Sequence, residues 1–456
     1  MTKEKRALIL THCFLVFFSV MNGSIFNVSL PYIAMEFQLM PSEVSWIVVG
    51  YMMTFAISTA TFGKLADLYP VKRLITIGLI IFAAGSLVGY SANQFWMVIV
   101  GRVIQASGAG AIPALGMIIA TRFFESKNRG HALGFISSAV AVGSAMGPVL
   151  GGFIAEYFGW SMLFFVSVGS LLGLPIMRKL LPDEETRPAP FDLVGLALFS
   201  LTISSLFLGI NWSSWALLGF ILLGTLFVLH SRRITHPFIN PRFFTHGPYV
   251  LILAMGFAIF MCMSIGVFLL PLMLEEANSL PESEIGLVLF PGAILSAFLG
   301  STAGKWSDHF GSPTVIRMSS LLMLVGYLLF STFVGVSPIF SAIFFLLVYV
   351  GFSSNQSALS NYTSQNLPPG GSGVGMGLFS MSNFLGNAMG PALIGDFLEK
   401  RMDHWNPLYT TQFTAFSNSY LLIAIAMGSI FFLLPWIHYV KQQSKEGVRQ
   451  IQMAQK

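Results

Sequence analysis

Uncharged apolar runs of about twenty residues recur from one end of this chain to the other, and they constrain its fold more than any other feature. Each run is long enough to cross the hydrocarbon core of a bilayer, about 30 Å thick, as a helix. Helices satisfy their own backbone hydrogen bonds in lipid, so the runs predict an all-α polytopic membrane protein. We count fourteen candidate spans between residues 7 and 440. Only 9% of the residues are charged, which excludes an ordinary soluble protein.

The basic residues predict the orientation of the spans. With the N-terminus on the cytoplasmic side, 21 of the 24 lysines and arginines lie in or beside cytoplasmic segments; the others are Arg102, Lys400 and Arg401. Both termini are therefore predicted to be cytoplasmic. Cys13 and Cys262 are far apart and within spans, so we expect no disulfide framework and no metal site, and nothing indicates a cofactor or a nucleic-acid partner.

A duplicated segment organises the spans. Residues 129–152 align without a gap to residues 372–395, and ten of the twenty-four positions are identical. Glycines four residues apart let a neighbouring helix approach closely, and proline bends a helix. These residues are predicted to form a gate or hinge: Gly143, Gly147, Pro148, Gly151 and Gly152 in the first copy, and Gly386, Gly390 and Pro391 in the second. Plain small-residue packing would give the same pattern, and the sequence leaves both explanations open.

The repeat offset of 243 residues pairs spans one to six with spans nine to fourteen and leaves spans seven and eight without a counterpart. We therefore predict two six-helix bundles with two inserted helices between them. The predicted units are an N-terminal bundle over residues 1–181, a linker with the inserted helices over 182–247, a C-terminal bundle over 248–441 and a cytoplasmic tail over 442–456.

A second signature follows span two and recurs after span ten, where Gly304, Lys305 and Asp308 repeat Gly63, Lys64 and Asp67. Asp67 is suited to accept hydrogen bonds from a helix N-terminus or from an arginine on a neighbouring helix. The recurrence favours a gating role for Gly63, Asp67 and Arg73 over an ordinary positive-inside loop with one acid.

Arg102 is the basic residue that we predict to lie inside the protein at membrane depth. A buried arginine is costly unless it meets an anion or polar partners. We expect Arg102 to bind an anionic substrate group or to join a polar network near Asn22, with Gln105 facing the bundle. An arginine that extends to water at the outer interface is the alternative.

These segments, together with the run Asn27-Val28-Ser29-Leu30-Pro31, resemble the major facilitator superfamily. The chain is most similar to its fourteen-span drug:proton antiporters, and among them to the K and L type tetracycline efflux proteins of Gram-positive bacteria. The resemblance implies two bundles around a central cavity, alternating access, and export of a small amphipathic substrate in exchange for protons or another monovalent cation. It also implies a monomer in the bacterial cytoplasmic membrane.

The acids depart from that antiporter pattern. Asn22, Gly23 and Ser24 occupy the positions where the branch carries an acid in its first span, and no Asp or Glu of this sequence falls in the middle of a predicted span. A buried carboxylate is the usual proton carrier, because burial raises its pKa. Three explanations stay open: coupling through the interfacial acids Asp67, Glu156 or Asp396, an uncoupled facilitator or a lipid or metabolite exporter, or deliberate neutral substitutions that trap one conformation.

Uncharged amides are the polar groups left for contact with a substrate. The candidates are Asn22, Asn27, Gln105, Asn355, Gln356, Asn361, Asn383 and Asn387. Such groups suit a neutral or zwitterionic molecule with several hydrogen-bonding groups, although each amide could instead join two helices. A membrane enzyme is disfavoured because the chain lacks a His-Glu-x-x-His pair and a Gly-x-Ser-x-Gly elbow.

Overall fold

The computed structural model describes residues 2–186, 190–280, 282–368, 371–399, 406 and 413–432. The predicted tail over 442–456 and the end of the last predicted span lie outside these residues. The long helices of the first part are α1 (Lys3–Ser24), α2 (Trp46–Ala66), α3 (Val71–Tyr90), α4 (Phe95–Phe123), α5 (Ser126–Phe158), α6 (Met162–Leu180) and α7 (Leu193–Asn211). They continue as α8 (Ala216–Arg233), α9 (Gly247–Asn278), α10 (Glu282–Phe310), α11 (Ser312–Thr332), α12 (Pro338–Gln365), α13 (Ser372–Glu399) and α14 (Thr414–Phe432).

Thirteen of these segments are long and apolar enough to cross a membrane, and α13 is the remaining one. This helix coincides with the predicted span 373–397 but carries serine, asparagine and glycine along its length. It packs against α2, α4, α7 and α9, so other helices cover its polar groups. The all-helical membrane fold predicted from the sequence is confirmed, with no strand in the described residues.

Two long helices are interrupted where their sequence weakens the backbone ladder. Helix α4 consists of Phe95–Ala109 and Ala111–Phe123. Pro113 has no N–H to give to the carbonyl of Ala109, and the Ser19 hydroxyl donates to that oxygen at 2.8 Å. Helix α6 contains a 3₁₀ segment, Ser167–Gly173, in its middle.

The first span ends earlier than the sequence suggests. It was expected to continue to residue 30, but α1 ends at Ser24 and is followed by a 3₁₀ turn, Asn27–Ser29, and a short helix, Leu30–Phe37. Asn27 is consequently exposed on this turn, and the expectation that it lies within a span is wrong. Pro31 lies in the first turn of the short helix Leu30–Phe37 and favours the start of a new helix at this point.

Four helix pairs join the two halves of the chain. Helix α5 packs along α10 and α12, and α13 packs along α2 and α4. The inserted helices α7 and α8 pack against each other, and α7 also contacts α2 and α13. The insertion therefore lies beside one of the two seams between the halves, where Phe199, Ile203 and Phe207 of α7 join a buried cluster with residues of α2 and α13.

Asp192 fixes the start of the insertion. Its carboxylate accepts hydrogen bonds from Gly195 N–H at 2.7 Å, from His230 Nε2 at 2.9 Å and from Phe238 N–H at 3.0 Å. Burial raises the pKa of Asp192, but these hydrogen bonds outweigh burial and hold the pKa below its ordinary value. Next to it, Lys64 Nζ donates to the carbonyl of Pro237 at 2.9 Å, which ties the insertion to the end of α2.

Candidate functional site

Asp67 joins the two halves at one end of the bundle. Its carboxylate accepts from the main-chain N–H groups of Gly373 at 2.8 Å and Val374 at 3.0 Å, in the first turn of α13. Arg122, at the end of α4, donates to the same carboxylate at 2.9 Å. The unpaired N–H groups of a helix N-terminus attract a negative charge, so Asp67 holds α13 against the first half.

Asp308 forms the same contact in the opposite direction. It accepts from the N–H groups of Gly130 at 2.9 Å and His131 at 3.0 Å, near the start of α5, and from Asn361 Nδ2 at 3.1 Å. Gly130 and Gly373 are equivalent positions of the duplication, so each half supplies one acid and one helix start to the other. We call these two contacts the Asp67 clamp and the Asp308 clamp, and the end of the molecule that they occupy the closed end.

Glycine lets the backbones touch at both clamps. A Cβ added at Gly63 would lie 2.7 Å from the carbonyl oxygen of Gly373 and 2.8 Å from Cα of Gly377. At the other seam, a Cβ at Gly134 would lie 2.9 Å from Cα of Ser301, and one at Gly304 would overlap the carbonyl of Gly130. Any larger side chain would separate the helices, because such approaches leave no room for a methyl group.

Toward the other end of the molecule, which we call the far end, positions on α10 and α5 become exposed. On α10, Phe290 continues the face that carries Gly300 and Gly304 and is 46% exposed, and a Cβ at Gly286 would have no neighbour within 4 Å. On α5, Val149 is 53% exposed. The close backbone approaches between α5 and α10 therefore lie at the closed end.

The duplicated glycine-proline runs pack within their own halves. The face of Gly143, Gly147 and Gly151 lies against α1, and a Cβ at Gly143 would lie 2.9 Å from the carbonyl oxygen of Phe17. Gly386 and Gly390 lie in the same way against α9, and Gly390 faces the carbonyl of Met261. Each duplicated helix is thus attached to its own half by this run and to the opposite half by its clamp. Pro148, Gly152 and Pro391 lie within the same runs.

Arg102 lies inside the first half with no exposed surface. Its Nη1 donates to Asn22 Oδ1 at 2.6 Å and to Gln105 Oε1 at 2.8 Å, and its Nε donates to the carbonyl of Ile47 at 3.3 Å. Asn22 and Gln105 both reach the Ser167 hydroxyl of α6. The structure therefore brings three predicted site residues into one buried polar network, in which the partners of Arg102 are uncharged.

Tyr51 connects this network to the centre of the molecule. The guanidinium of Arg102 lies 3.7 Å from the centre of the Tyr51 ring, which stacks on Phe55. Phe55 contacts Phe384 of α13 at 4.6 Å between ring centres, and Phe260 of α9 contacts Phe384 at 6.3 Å and Phe352 of α12 at 5.0 Å. These five residues, Tyr51, Phe55, Phe260, Phe352 and Phe384, form what we call the central aromatic cluster.

Two of the predicted amides lie next to the central aromatic cluster. Asn383 precedes Phe384, is 2% exposed, and neither its Oδ1 nor its Nδ2 has a hydrogen-bond partner. Gln356 is one helical turn after Phe352, is buried, and its Oε1 also lacks a partner. Buried polar atoms are normally satisfied by protein, water or ligand, so Asn383 and Gln356 are candidates for contact with a polar molecule.

The remaining predicted residues lie elsewhere. Asn355 pairs with the Ser320 hydroxyl at 3.2 Å, Asn361 supports the Asp308 clamp, and Asn387 is half-buried on α13. Glu156 is exposed near the end of α5, and Arg73 is exposed at the start of α3. Asp396 belongs to α13, but its side chain lies outside the described residues. Among those residues, no group of His, Cys, Asp and Glu is arranged to hold a metal ion.

Sequence reasoning did not single out the aromatic cluster or the buried His12. With 43 phenylalanines in the chain, no pattern separates the four central ones from those that face lipid. His12 of α1 is fully buried, and its Nε2 lies 2.9 Å from the carbonyl oxygen of Ile112 in α4. A histidine inside a predicted span was a usable signal, because ionisable residues at membrane depth are rare.

Two pseudo-equivalent helical halves, joined by reciprocal clamps at one end, define a membrane transporter of the secondary type. Residues 13–391 match the Major Facilitator Superfamily, and the chain belongs to this family. It is 27% identical to the riboflavin transporter RibZ of Clostridioides difficile (strain 630) over 434 residues, which cover 92% of this chain and 93% of RibZ. It is 25% identical to the multidrug transporter protein MdtP of Bacillus subtilis (strain 168) over 418 residues, 88% of this chain and 76% of MdtP.

Solved structures show the same fold. The human organic anion transporter MFSD10 superposes with a TM-score of 0.67 at 15% identity, over 95% of this chain and all of that one. The proton:xylose symporter XylE superposes with a TM-score of 0.68 at 13% identity, over 94% of this chain and 95% of XylE. At this level of identity, the similarity concerns the fold alone.

Proposed function

We propose that this protein exports neutral, flat, amphipathic molecules by alternating access, and that flavins and tetracycline-like drugs belong to its substrate class. The observation that carries the proposal is the central aromatic cluster with the unpartnered amide of Asn383 and the unpartnered Oε1 of Gln356 near it along the chain. Aromatic faces stack on a planar ring system, and amides hydrogen-bond its polar edge without demanding a charge. Similarity to a riboflavin transporter and to a multidrug transporter supports the same class.

The charges near the centre favour a neutral substrate. Among the described residues, the buried charged side chains are Arg102 and Asp192, apart from the ionisable His12. Arg102 is enclosed by neutral partners, and Asp192 lies at the start of α7. A charged substrate would need an opposite charge in the low-dielectric interior, since burying an unpaired charge costs several kcal/mol or more.

We further propose that export is exchanged for protons at the clamps. The predicted coupling candidate Asp67, and with it Asp308, must ionise to hold a helix start, so a proton on either carboxylate weakens its clamp. Glu156 and Asp396 remain proposed candidates of lower standing, because Glu156 is exposed near the end of α5 and the side chain of Asp396 lies outside the described residues. In this proposal the closed end is cytoplasmic, the structure faces outward, and the protein acts as a monomer in the bacterial cytoplasmic membrane.

An uncoupled facilitator is the second candidate. It is favoured by a specific observation: in the described part of the chain, no carboxylate is buried between the two ends of a span. The division into bundles over 1–181 and 248–441, with the insertion over 182–247 and a tail over 442–456, applies to either candidate and remains a proposal.

Proteoliposomes distinguish these proposals. Purified protein is reconstituted with a pH-sensitive dye inside, and movement of riboflavin, tetracycline and ethidium is recorded with and without an imposed proton gradient. We expect saturable riboflavin or tetracycline transport with proton movement in the opposite direction. Transport that ignores the gradient would establish the facilitator, and no transport of any planar compound would refute the substrate class.

A variant pair tests the site itself. Asn383→Leu removes the unpartnered amide of Asn383, and Asn93→Leu changes an exposed asparagine in the loop between α3 and α4. A hydrogen bond is worth about 1 kcal/mol, so Asn383→Leu should raise the half-saturation concentration about five-fold. Asn93→Leu should leave it unchanged, and equal values in both variants would remove Asn383 from the site.

A further inference from the structure

A groove opens on the outer wall of the first half, where the inserted helix α7 stands beside α2 and α3. Its volume is about 620 Å³, and its walls include Ile57 and Phe62 of α2, Leu74 and Ile77 of α3 and Leu196 of α7. That volume lies within the roughly 300–1,000 Å³ range of small-molecule sites. Ile77 is 42% exposed, so the groove faces the membrane side of the protein and lies apart from the central aromatic cluster.

The lining suits a hydrocarbon chain. The hydroxyls of Thr54, Ser58, Thr61 and Ser107 lie in the groove, and each donates to a main-chain carbonyl at 2.6–2.8 Å. These hydroxyl groups therefore have no proton left to donate to a ligand. The other wall residues in the membrane-spanning part are mostly aliphatic or aromatic. A ligand gains affinity here by burying apolar surface and not by donating or accepting many hydrogen bonds.

The rim of the groove at the closed end is basic. Arg73 lines this rim, is exposed, and forms no ion pair within the described residues. The adjacent Lys72 is paired with Asp183 at 2.8 Å, so Arg73 is the cation left to meet a ligand. A guanidinium binds phosphate through two parallel hydrogen bonds, which makes a phosphate ester the matching headgroup.

The length of the groove matches one leaflet. From Thr54 to Leu65 along α2, eleven residues at 1.5 Å each span about 16 Å. One leaflet contributes about 15 Å, half of the hydrocarbon core. A chain that starts at Arg73 and follows the groove therefore ends near the middle of the bilayer.

We propose that this groove is a binding site for an anionic phospholipid, with the headgroup phosphate at Arg73 and one acyl chain between α3 and α7. The site exists because the insertion supplies its third wall, so a lipid here joins the inserted helices to the first half. It also contacts α2, which leads directly into the Asp67 clamp. The site does not depend on which compound is transported.

Fluorescence quenching by spin-labelled lipid tests the proposal. A bimane fluorophore is attached to Ser200→Cys, inside the groove, and to Leu201→Cys, its 53% exposed neighbour, in a background without Cys13 and Cys262. Both proteins are reconstituted in phosphatidylcholine with a small fraction of acyl-doxyl phosphatidylglycerol or acyl-doxyl phosphatidylcholine. We expect phosphatidylglycerol to quench the groove position at least three-fold more strongly than phosphatidylcholine, and both lipids to quench position 201 equally. Equal quenching at position 200 would overturn the proposal.

A charge variant tests the headgroup contact. In the Ser200→Cys protein, Arg73→Gln should reduce the ratio of quenching by phosphatidylglycerol to quenching by phosphatidylcholine to about one, because the charge-assisted contact with the headgroup is lost. Arg178→Gln, an exposed arginine of α6 that does not line the groove, should leave the preference intact. An unchanged preference in Arg73→Gln would refute the contact. If riboflavin or tetracycline displaces the quencher at the concentration that saturates transport, the groove is instead a lateral entrance for substrate, and the lipid assignment fails.

Discussion

Replacing Asp67 by asparagine should open the closed end. Asp67 accepts two main-chain hydrogen bonds at 2.8 and 3.0 Å and one from Arg122 at 2.9 Å, and its side chain is 20% exposed. Hydrogen bonds to a charged group contribute about 1.5–3 kcal/mol each, and asparagine retains one acceptor of the two. Allowing for that acceptor and for partial exposure, we expect a net loss of about 2–3 kcal/mol. This changes the ratio of closed to open molecules roughly 30- to 160-fold.

Distance measurements between two spin labels report the ratio of closed to open molecules. Labels at Arg178→Cys of α6 and Thr314→Cys of α11 lie on exposed positions of opposite halves, near the closed end. Asp67→Asn should add a long-distance population, and Asp308→Asn should do the same because the duplication gives it an equivalent contact. Asp183→Asn is the matched control, since Asp183 is 92% exposed and pairs only with Lys72 at this end. Distance distributions that are identical in Asp67→Asn and Asp183→Asn would refute the clamp.

Three further predictions concern single residues. Arg102→Ala should abolish transport at normal expression, because Asn22 and Gln105 lose their shared partner; near-normal transport in vesicles would leave Arg102 with a purely structural role. Gly151→Ala should lower thermal stability by about 1–3 kcal/mol, since its Cβ would overlap the carbonyl of Ile25, whereas Gly395→Ala has open space; equal melting temperatures would contradict the packing of α5 on α1. The pKa of Asp192 is lower in the folded protein than in the unfolded chain. Its contribution to the free energy of unfolding is therefore complete above the unfolded-state pKa of about 4 and is lost as the pH falls through the folded-state pKa. At pH 6 the wild-type protein should therefore have a higher melting temperature than Asp192→Asn, and this difference should disappear in strongly acidic buffer. A difference that does not depend on pH would refute this account.

Some features of the site could be read from local sequence signals. Asp67 and Asp308 are equivalent acids of the two halves, and the helix starts at Gly130 and Gly373 are equivalent as well. Each acid contacts the helix start of the opposite half, so both members of each contact belong to the same sequence repeat. Arg102 was identifiable because a cation inside an apolar run needs polar partners. Asn27 was misplaced for an equally local reason: the run continues past Ser24, and nothing in its hydropathy marks the 3₁₀ turn that moves this side chain to the surface.

Other features arise only from contacts between distant segments. Phe55, Phe260, Phe352 and Phe384 meet because α2, α9, α12 and α13 converge, and their spacing along the chain is no different from that of phenylalanines in contact with lipid. The groove beside Arg73 likewise depends on where α7 packs. A hydropathy pattern states that a helix is apolar, but not which neighbour covers each face.

By itself, the sequence determined the helical membrane class, the duplication and the recurring acids Asp67 and Asp308, because apolar length, repeat offset and isolated charges are properties of the chain. Only the tertiary structure decided which helices cross between the halves, where the insertion lies, and which uncharged side chains surround the centre. In lipid, hydrophobicity does not distinguish one apolar face from another, so close packing and a few buried hydrogen bonds make that choice.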